Sequence, residues 1–100
     1  MAGRSQNWNV GLAQDLRDPE LAQEFLWATM DEGVALQVAL GKVIRAIGVE
    51  EFAARVDMAA PNVLRAINRR HNPTVEALNR LLDPLTLRLV LAPIALPKRR

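Results

Sequence analysis

Apolar residues recur at helical spacing in five successive segments of the chain, and several of these segments start at a capping residue followed by proline. Asp18 and Pro19 combine a preferred N-cap with a residue suited to the first helical turn. Gly48 supplies a stop for the second segment, which Asp31 can cap at its start. The pattern predicts helices over residues 19–29, 33–46, 49–56, 61–68 and 74–82. For the first helix we expect an inner face of Leu21, Phe25 and Ala28.

The spacing of apolar residues becomes alternating after Asp83 and Pro84, as expected of a β-strand over residues 86–91. A single strand leaves its backbone hydrogen-bonding groups unpaired, so we expect a second copy of the chain or the sheet edge of a partner to cover it. The predicted dimer contacts are Leu87, Leu89 and Leu91. The alternative is that these leucines pack on the chain's own helices.

Length and composition favour one helical domain and leave little material for catalysis. The chain has 100 residues, of which 15 are Ala and 15 are Leu, so a single core rich in helix formers is expected. It has no Cys and one His, which excludes disulfides and thiolate or multi-histidine metal sites. We interpret His71 as a loop or capping residue, and we expect no enzyme activity, metal, cofactor or small-molecule substrate.

The domain is expected to span residues 15–92, between a flexible leader (1–14) and a flexible basic tail (93–100). Charges interrupt every longer apolar stretch, so we expect a cytoplasmic protein without a membrane partner. The charges are also unevenly distributed along the chain. Residues 1–51 carry 4 basic and 8 acidic side chains, whereas residues 52–100 carry 9 basic and 3 acidic ones. This asymmetry indicates a polyanionic partner for the basic half and a basic partner for the acidic half; ordinary solvated charge is the alternative.

Residues 49–68 read VEEFAARVDMAAPNVLRAIN, which is typical of two short helices packed across a tight turn. Ala53 is small enough to lie where two helices approach closely. Asp57 occupies the turn, and Val63 can pack the second helix on the first. The segment therefore predicts a helix-turn-helix, a motif that places its second helix in the major groove of DNA.

The same residues resemble the Xre or lambda-Cro type of helix-turn-helix domain. With its flanks, the chain resembles addiction-module antidote proteins, the antitoxins of RelE/HigB-like toxins, over about four-fifths of its length. The flanking stretches are DLRDPELAQEFLWATMDEG (15–33), ALGKVIRAIG (39–48), HNPTVEALNRLL (71–82) and LTLRLVLAP (85–93). The resemblance implies an all-α, five-helix, lambda-repressor-like domain with one C-terminal β-strand. It implies a homodimeric repressor that binds double-stranded operator DNA, autoregulates its operon and neutralises a cognate toxin.

The resemblance gives the second helix of the motif and the loop after it the task of contacting DNA. The residues it implicates are Ala60, Asn62, Arg65, Asn68, Arg69 and Arg70. Asn62 is suited to adenine and Arg65 to guanine, while Arg69, Arg70 and Arg80 are suited to phosphates. Ala60 and Pro61 stand where the family often has polar residues, which weakens base readout.

Three further residues depart from the family pattern. Glu50 and Glu51 lie at the start of the third helix, where a carboxylate either caps the helix or repels a phosphate. Asp57 replaces the usual glycine of the turn, which Asp tolerates because it adopts positive φ more readily than most residues.

A second surface is expected in the acidic half. Leu16, Phe25 and Trp27 are the predicted toxin contacts, since exposed aromatic residues often anchor interfaces. Two alternatives stay open. The chain could be a free-standing transcription regulator without a toxin, or a protein-interaction module whose DNA-binding face has decayed.

Overall fold

The structure, a computed structural model, describes residues 14–94 and is built mainly from helices, as predicted. The described residues contain α1 (Pro19–Asp31), α2 (Leu36–Ile47), α3 (Val49–Val56), α4 (Ala60–Ala66), α5 (Val75–Leu82) and a 3-10 turn (Asp83–Leu85). Residues 14–16 are also helical. The predicted leader and basic tail lie outside the described residues, except for Gln14, Pro93 and Ile94. In residues 14–94 no helix has the length and apolar character needed to cross a membrane.

Helix ends follow the capping signals where a side chain supplies them. Asp18 accepts a hydrogen bond from the Glu20 N–H at 2.9 Å, and Thr74 accepts one from the Ala77 N–H at 3.0 Å. The predicted start of α2 was wrong, because Asp31 ends α1 and the N-cap is Ala35, which makes no side-chain bond. Gly33 has φ of +96°, so it turns the chain between the two helices and lies outside α2.

The buried face of α1 is displaced by one position from the prediction. Ala22, Leu26 and Thr29 are buried, whereas Leu21 is 40% exposed and Ala28 is exposed. The Thr29 hydroxyl donates to the Phe25 carbonyl at 2.7 Å, which lets a polar residue occupy the inner face. The spacing of apolar residues alone does not locate this inner face, because one of its positions is a threonine whose hydroxyl hydrogen-bonds its own helix.

Each helix packs against the next along the chain, and the 3-10 turn returns to α1, α3 and α5. Gln23 of α1 fixes this return, because its Nε2 donates to the Leu85 carbonyl at 2.7 Å and to Thr86 Oγ1 at 2.8 Å. Ala53 and Val63, the two residues predicted to pack α3 against α4, are both buried, as expected. The fully or almost fully buried core side chains include Leu40, Val43, Ile44, Phe52, Ala53, Val63, Ala66, Ile67, Leu81 and Leu85.

The predicted strand is not found within residues 14–94, and residues 87–94 have no regular secondary structure. Two of its backbone donors are used within the chain: the Leu87 N–H donates to the Leu82 carbonyl at 3.2 Å and the Leu89 N–H to Asn79 Oδ1 at 2.7 Å. Leu87 and Leu89 pack partly against the core, which is the alternative weighed for these leucines. Leu91 is fully exposed, at 102%. The assignment of these three residues to a dimer interface stays a prediction.

Candidate nucleic-acid interface

Helix α4 presents two polar side chains on its outer face, next to Leu64, which is 43% exposed. Val63, Ala66 and Ile67 are buried, so Asn62 and Arg65 are exposed on the opposite side. Ala60 differs from the prediction, since it is half-buried and packs on the core. Residues 60, 63 and 67 share one helix face, which turns much of the Ala60 methyl away from any ligand.

A flank of α4 forms a shallow hollow with the loop and helix that follow. Its volume is about 350 Å³, and its lining includes Asn62, Arg65, His71, Asn72 and Thr74. The two residues predicted to read bases therefore lie at one depression rather than on separate surfaces. His71 is exposed in the loop, as interpreted from the sequence.

Arg69 and Arg70 lie on the other side, in a larger basic pocket between α2 and the loop after α4. This basic pocket has a volume of about 730 Å³ and is lined by Val38, Lys42, Arg45, Ile67, Asn68, Arg69 and Arg70. Its lining has four cations and no carboxylate. In the described part of the chain, both ion pairs involve Glu51, so none of the four cations is neutralised there. The pocket is a site of concentrated positive charge.

Close packing of α2 on the end of α4 brings the two halves of the basic pocket together. Gly41 lies at this contact: a Cβ added there would lie 3.6 Å from Ile67 Cβ and 3.2 Å from Arg45 Nη1. Glycine inside a helix is unfavourable relative to alanine by about 0.5–1 kcal/mol. Its missing side chain leaves room for the Arg45 guanidinium to lie along the helix beside the pocket.

Gln37 of α2 holds the loop that carries Arg69 and Arg70. Its Nε2 lies 2.7 Å from the Ala66 carbonyl, 2.8 Å from that of Asn68 and 3.2 Å from that of His71. These bonds satisfy carbonyls at and beyond the C-terminal end of α4, which the helix itself cannot pair. Asn68 helps locally, because its Oδ1 accepts from the Arg70 N–H at 2.9 Å. Gln37 is therefore a positioning residue for the basic loop.

The two glutamates at the start of α3 have different environments. Glu51 receives two hydrogen bonds of 2.8 Å from Arg17 and lies 3.6 Å from Arg55. The hydrogen bonds from Arg17 hold the pKa of Glu51 below its usual value and raise the pKa of Arg17. Glu51 is thus a neutralised anchor for the segment before α1. Glu50 is exposed and has no ion-pair partner within residues 14–94.

Arg80 is exposed and also has a structural role within the fold, while the phosphate contact assigned to it stays a prediction. Nη2 donates to the carbonyls of Val56 at 3.0 Å and Asp57 at 2.9 Å, where α3 ends. A cation at this position also suits the negative end of the helix dipole. Asp57 has φ of 55° and ψ of 48°, the left-handed conformation expected for the turn.

The predicted partner contacts do not form one surface. Leu16 is 3% exposed and belongs to the core, so its assignment to a partner surface is wrong. It is buried because the helical segment before α1 folds back against the domain. Phe25 is half-buried against the core, whereas Trp27 is 53% exposed. Trp27 borders an apolar hollow of about 170 Å³ whose lining includes Leu26, Met30, Leu36, Leu82 and Leu87.

Sequence reasoning missed Lys42, Arg45, Gln37 and Gly41 as contributors to the basic pocket. One signal was present, a glycine in the middle of an otherwise strongly helical apolar pattern, which often indicates a close contact. In residues 14–94 no three His, Asp or Glu side chains are grouped so that they could hold a metal ion.

The chain was compared with known protein families, curated proteins and solved structures, and none of them matches it.

Proposed function

We propose that this protein binds double-stranded DNA, with α3 and α4 acting as a helix-turn-helix of the lambda-repressor-like kind. The observation that carries the proposal is the arrangement of exposed polar and basic side chains on α4 and on the loop after it. Arg65, Arg69 and Arg70 are all exposed, and none of them has an ion-pair partner in residues 14–94. Such a surface attracts the phosphate backbone of DNA.

The lengths of the elements also suit this role. Three residues, Asp57, Met58 and Ala59, join α3 to α4, and Ala53 is buried together with Val63. Because α4 has only seven residues, it fits a major groove without a long insertion. Asn62 would read adenine and Arg65 guanine, while Arg69 and Arg70 would contact phosphates.

The test is a binding titration with duplex DNA from upstream of the protein's own gene and with a scrambled duplex of equal length. Arg65→Ala should weaken binding to the upstream duplex by about 1–3 kcal/mol and reduce the preference over the scrambled one. Arg69→Ala should weaken both alike and reduce the salt slope by about 0.9. Arg88→Ala, which removes an exposed cation on the C-terminal segment, is the control. Salt-insensitive binding, or none at low salt, contradicts the proposal.

As a repressor of its own operon the protein would act as a homodimer, with Leu87, Leu89 and Leu91 as the proposed contacts. Two symmetric copies would bind half-sites about one helical turn apart. Footprinting on the upstream DNA tests this directly. A single protected half-site, with one protomer bound, would exclude the dimeric arrangement.

A second proposed activity is neutralisation of a RelE/HigB-like toxin through α1, and it is favoured by the exposure of Trp27. Glu20 and Glu24 are also exposed on this helix, so a basic partner would meet complementary charge. Trp27→Ala should weaken the complex with the product of the adjacent reading frame by about 2 kcal/mol or more, roughly 30-fold in Kd. Val75→Ala, at an apolar residue that is 61% exposed on α5, is the matched control. Equal binding by both variants would remove α1 from the interface.

Two narrower proposals remain as outcomes of these tests. DNA binding without capture of the neighbouring product, and without rescue of growth, favours a free-standing regulator. Capture without DNA binding at low salt favours a protein-interaction module, for which Ala60, Pro61 and Glu50 are the residues that weaken the DNA face.

A further inference from the structure

We propose that the basic pocket between α2 and the loop after α4 is a site for the phosphodiester backbone of DNA, with Lys42 and Arg45 as contacts. This inference rests on the proposed DNA binding, and it adds residues from a helix outside the two-helix motif. The pocket would hold backbone phosphates beside the groove that α4 enters.

The charge of the pocket is the first argument. Lys42 and Arg45 are three positions apart on α2, so they lie on one helix face, and Arg69 and Arg70 close the opposite side. Like charges gathered without a counter-charge are unfavourable until an anion binds between them. Because no carboxylate lines the pocket, a bound anion would supply that charge.

The shape of the pocket is the second argument. Its volume of about 730 Å³ is far more than one small anion occupies, and pockets for whole small molecules span about 300–1,000 Å³. A stretch of backbone with its sugars fits this space, and Asn68 adds an uncharged polar group to the lining. Phosphates of a nucleic acid are favoured over an acidic peptide because Arg69 and Arg70 connect the pocket directly to α4.

The packing of the pocket is the third argument. The Gln37 side chain fixes the loop on one side, and the Arg45 guanidinium lies over Gly41 on the other. The first contact fixes the backbone that carries Arg69 and Arg70, and the second places the end of the Arg45 side chain beside it. A loop whose backbone is already fixed loses less conformational freedom on binding than a mobile one.

The experiment compares Lys42→Gln, Arg45→Gln and the double variant with the wild type and with Arg88→Gln. All of the substituted side chains are exposed, so the variants should fold, and a thermal melt followed by circular dichroism checks this. Affinity for the upstream and scrambled duplexes is measured over a series of salt concentrations. Each pocket substitution should reduce the slope of log affinity against log salt by about 0.9 and weaken binding roughly eightfold at 0.1 M salt. The effect should be equal on both duplexes, because phosphates carry no base identity.

The outcomes separate this inference from the proposed function. If the wild type binds with a steep salt slope and the double variant keeps the same slope, the pocket is not a phosphate site, although DNA binding stands. If the wild type binds neither duplex, both ideas are wrong. If poly-glutamate protects the pocket from lysine modification at Lys42 and duplex DNA does not, the ligand is an acidic protein and the inference is overturned. If Arg88→Gln loses as much DNA affinity as Lys42→Gln, the effect comes from net charge alone, and the inference is overturned.

Discussion

Replacing Gln37 by alanine should destabilise the fold and weaken DNA binding without changing the salt dependence of that binding. The Gln37 amide spans three carbonyl groups, those of Ala66, Asn68 and His71, and thereby ties α2 to the loop that carries Arg69 and Arg70. Alanine removes the donor and leaves every cation in place. The substitution therefore separates the position of the loop from its charge.

The magnitude follows from the number of bonds. An amide nitrogen has two protons, so two of the three contacts can be full hydrogen bonds, each with a net value of about 0.5–1.5 kcal/mol. Because Asn68 and His71 are exposed, water can replace part of the loss, and we expect a decrease in the free energy of unfolding of about 1–2 kcal/mol. In a domain of this size that corresponds to a decrease in Tm of roughly 5–15 °C.

The loss of DNA affinity has a separate cause. A loosened loop has to be ordered again when it contacts the backbone, at about 1 kcal/mol or more for each residue fixed. Partial ordering of this loop should reduce affinity by on the order of fivefold to thirtyfold, while the slope against salt stays that of the wild type. Arg69→Ala, in contrast, should reduce the slope.

Gln23→Ala is a matched control, because Gln23 is also half-buried and its Nε2 also makes two short bonds, to Leu85 and Thr86. It should lower Tm by a similar amount and leave DNA affinity unchanged. The assays are thermal melts and fluorescence titrations with duplex DNA at three salt concentrations. Equal DNA affinity of the two variants, or a Gln37→Ala protein as stable as the wild type, refutes the role assigned to Gln37.

Two further substitutions test the packing around the basic pocket and the anchor of α3. Gly41→Ala should raise the free energy of unfolding by about 0.5–1 kcal/mol, because alanine favours the helix and the nearest atom, at 3.2 Å, is the movable end of Arg45. The DNA affinity of the variant should fall. A lower Tm would contradict this account. Glu51→Gln should flatten the acid side of the stability profile. Folding lowers the pKa of Glu51, so its contribution to the free energy of unfolding is present above the unfolded-state pKa and is lost as pH falls through the folded-state pKa. Unchanged acid sensitivity of the variant in urea titrations would argue against the Arg17 pairing.

The sequence predicts helix ends well where one residue makes the end, through a capping side chain or through the backbone freedom of glycine. Asp18, Thr74 and Gly48 each act within a few residues of their own position, so their effect can be read locally. The start of α2 has no such signal, because Ala35 caps it without a side-chain bond. Boundary errors therefore fall where the end of a helix is set by packing alone.

The predicted strand shows a different limit of sequence patterns. Of the three alternating leucines, Leu87 and Leu89 pack partly on the core, whereas Leu91 is fully exposed. A strand also needs a neighbour to pair with, which alternation does not supply. In the described chain, carbonyl and amide oxygens of α5 take the N–H groups of these two residues.

The basic pocket lies beyond local patterns altogether, since its parts are distant along the chain and meet through packing at Gly41 and the hydrogen bonds of Gln37. This meeting also changes how the charge asymmetry is interpreted. Residues 14–35 carry six carboxylates and one cation, whereas Lys42 and Arg45 of the nominally acidic half belong with Arg69 and Arg70. The two cations of α2 therefore belong with the basic half of the chain. If α1 binds a protein and the basic pocket binds DNA, Trp27→Ala should leave DNA affinity unchanged and Arg69→Ala should leave capture of the protein partner unchanged. Loss of both activities in either variant would mean that the two surfaces are not independent.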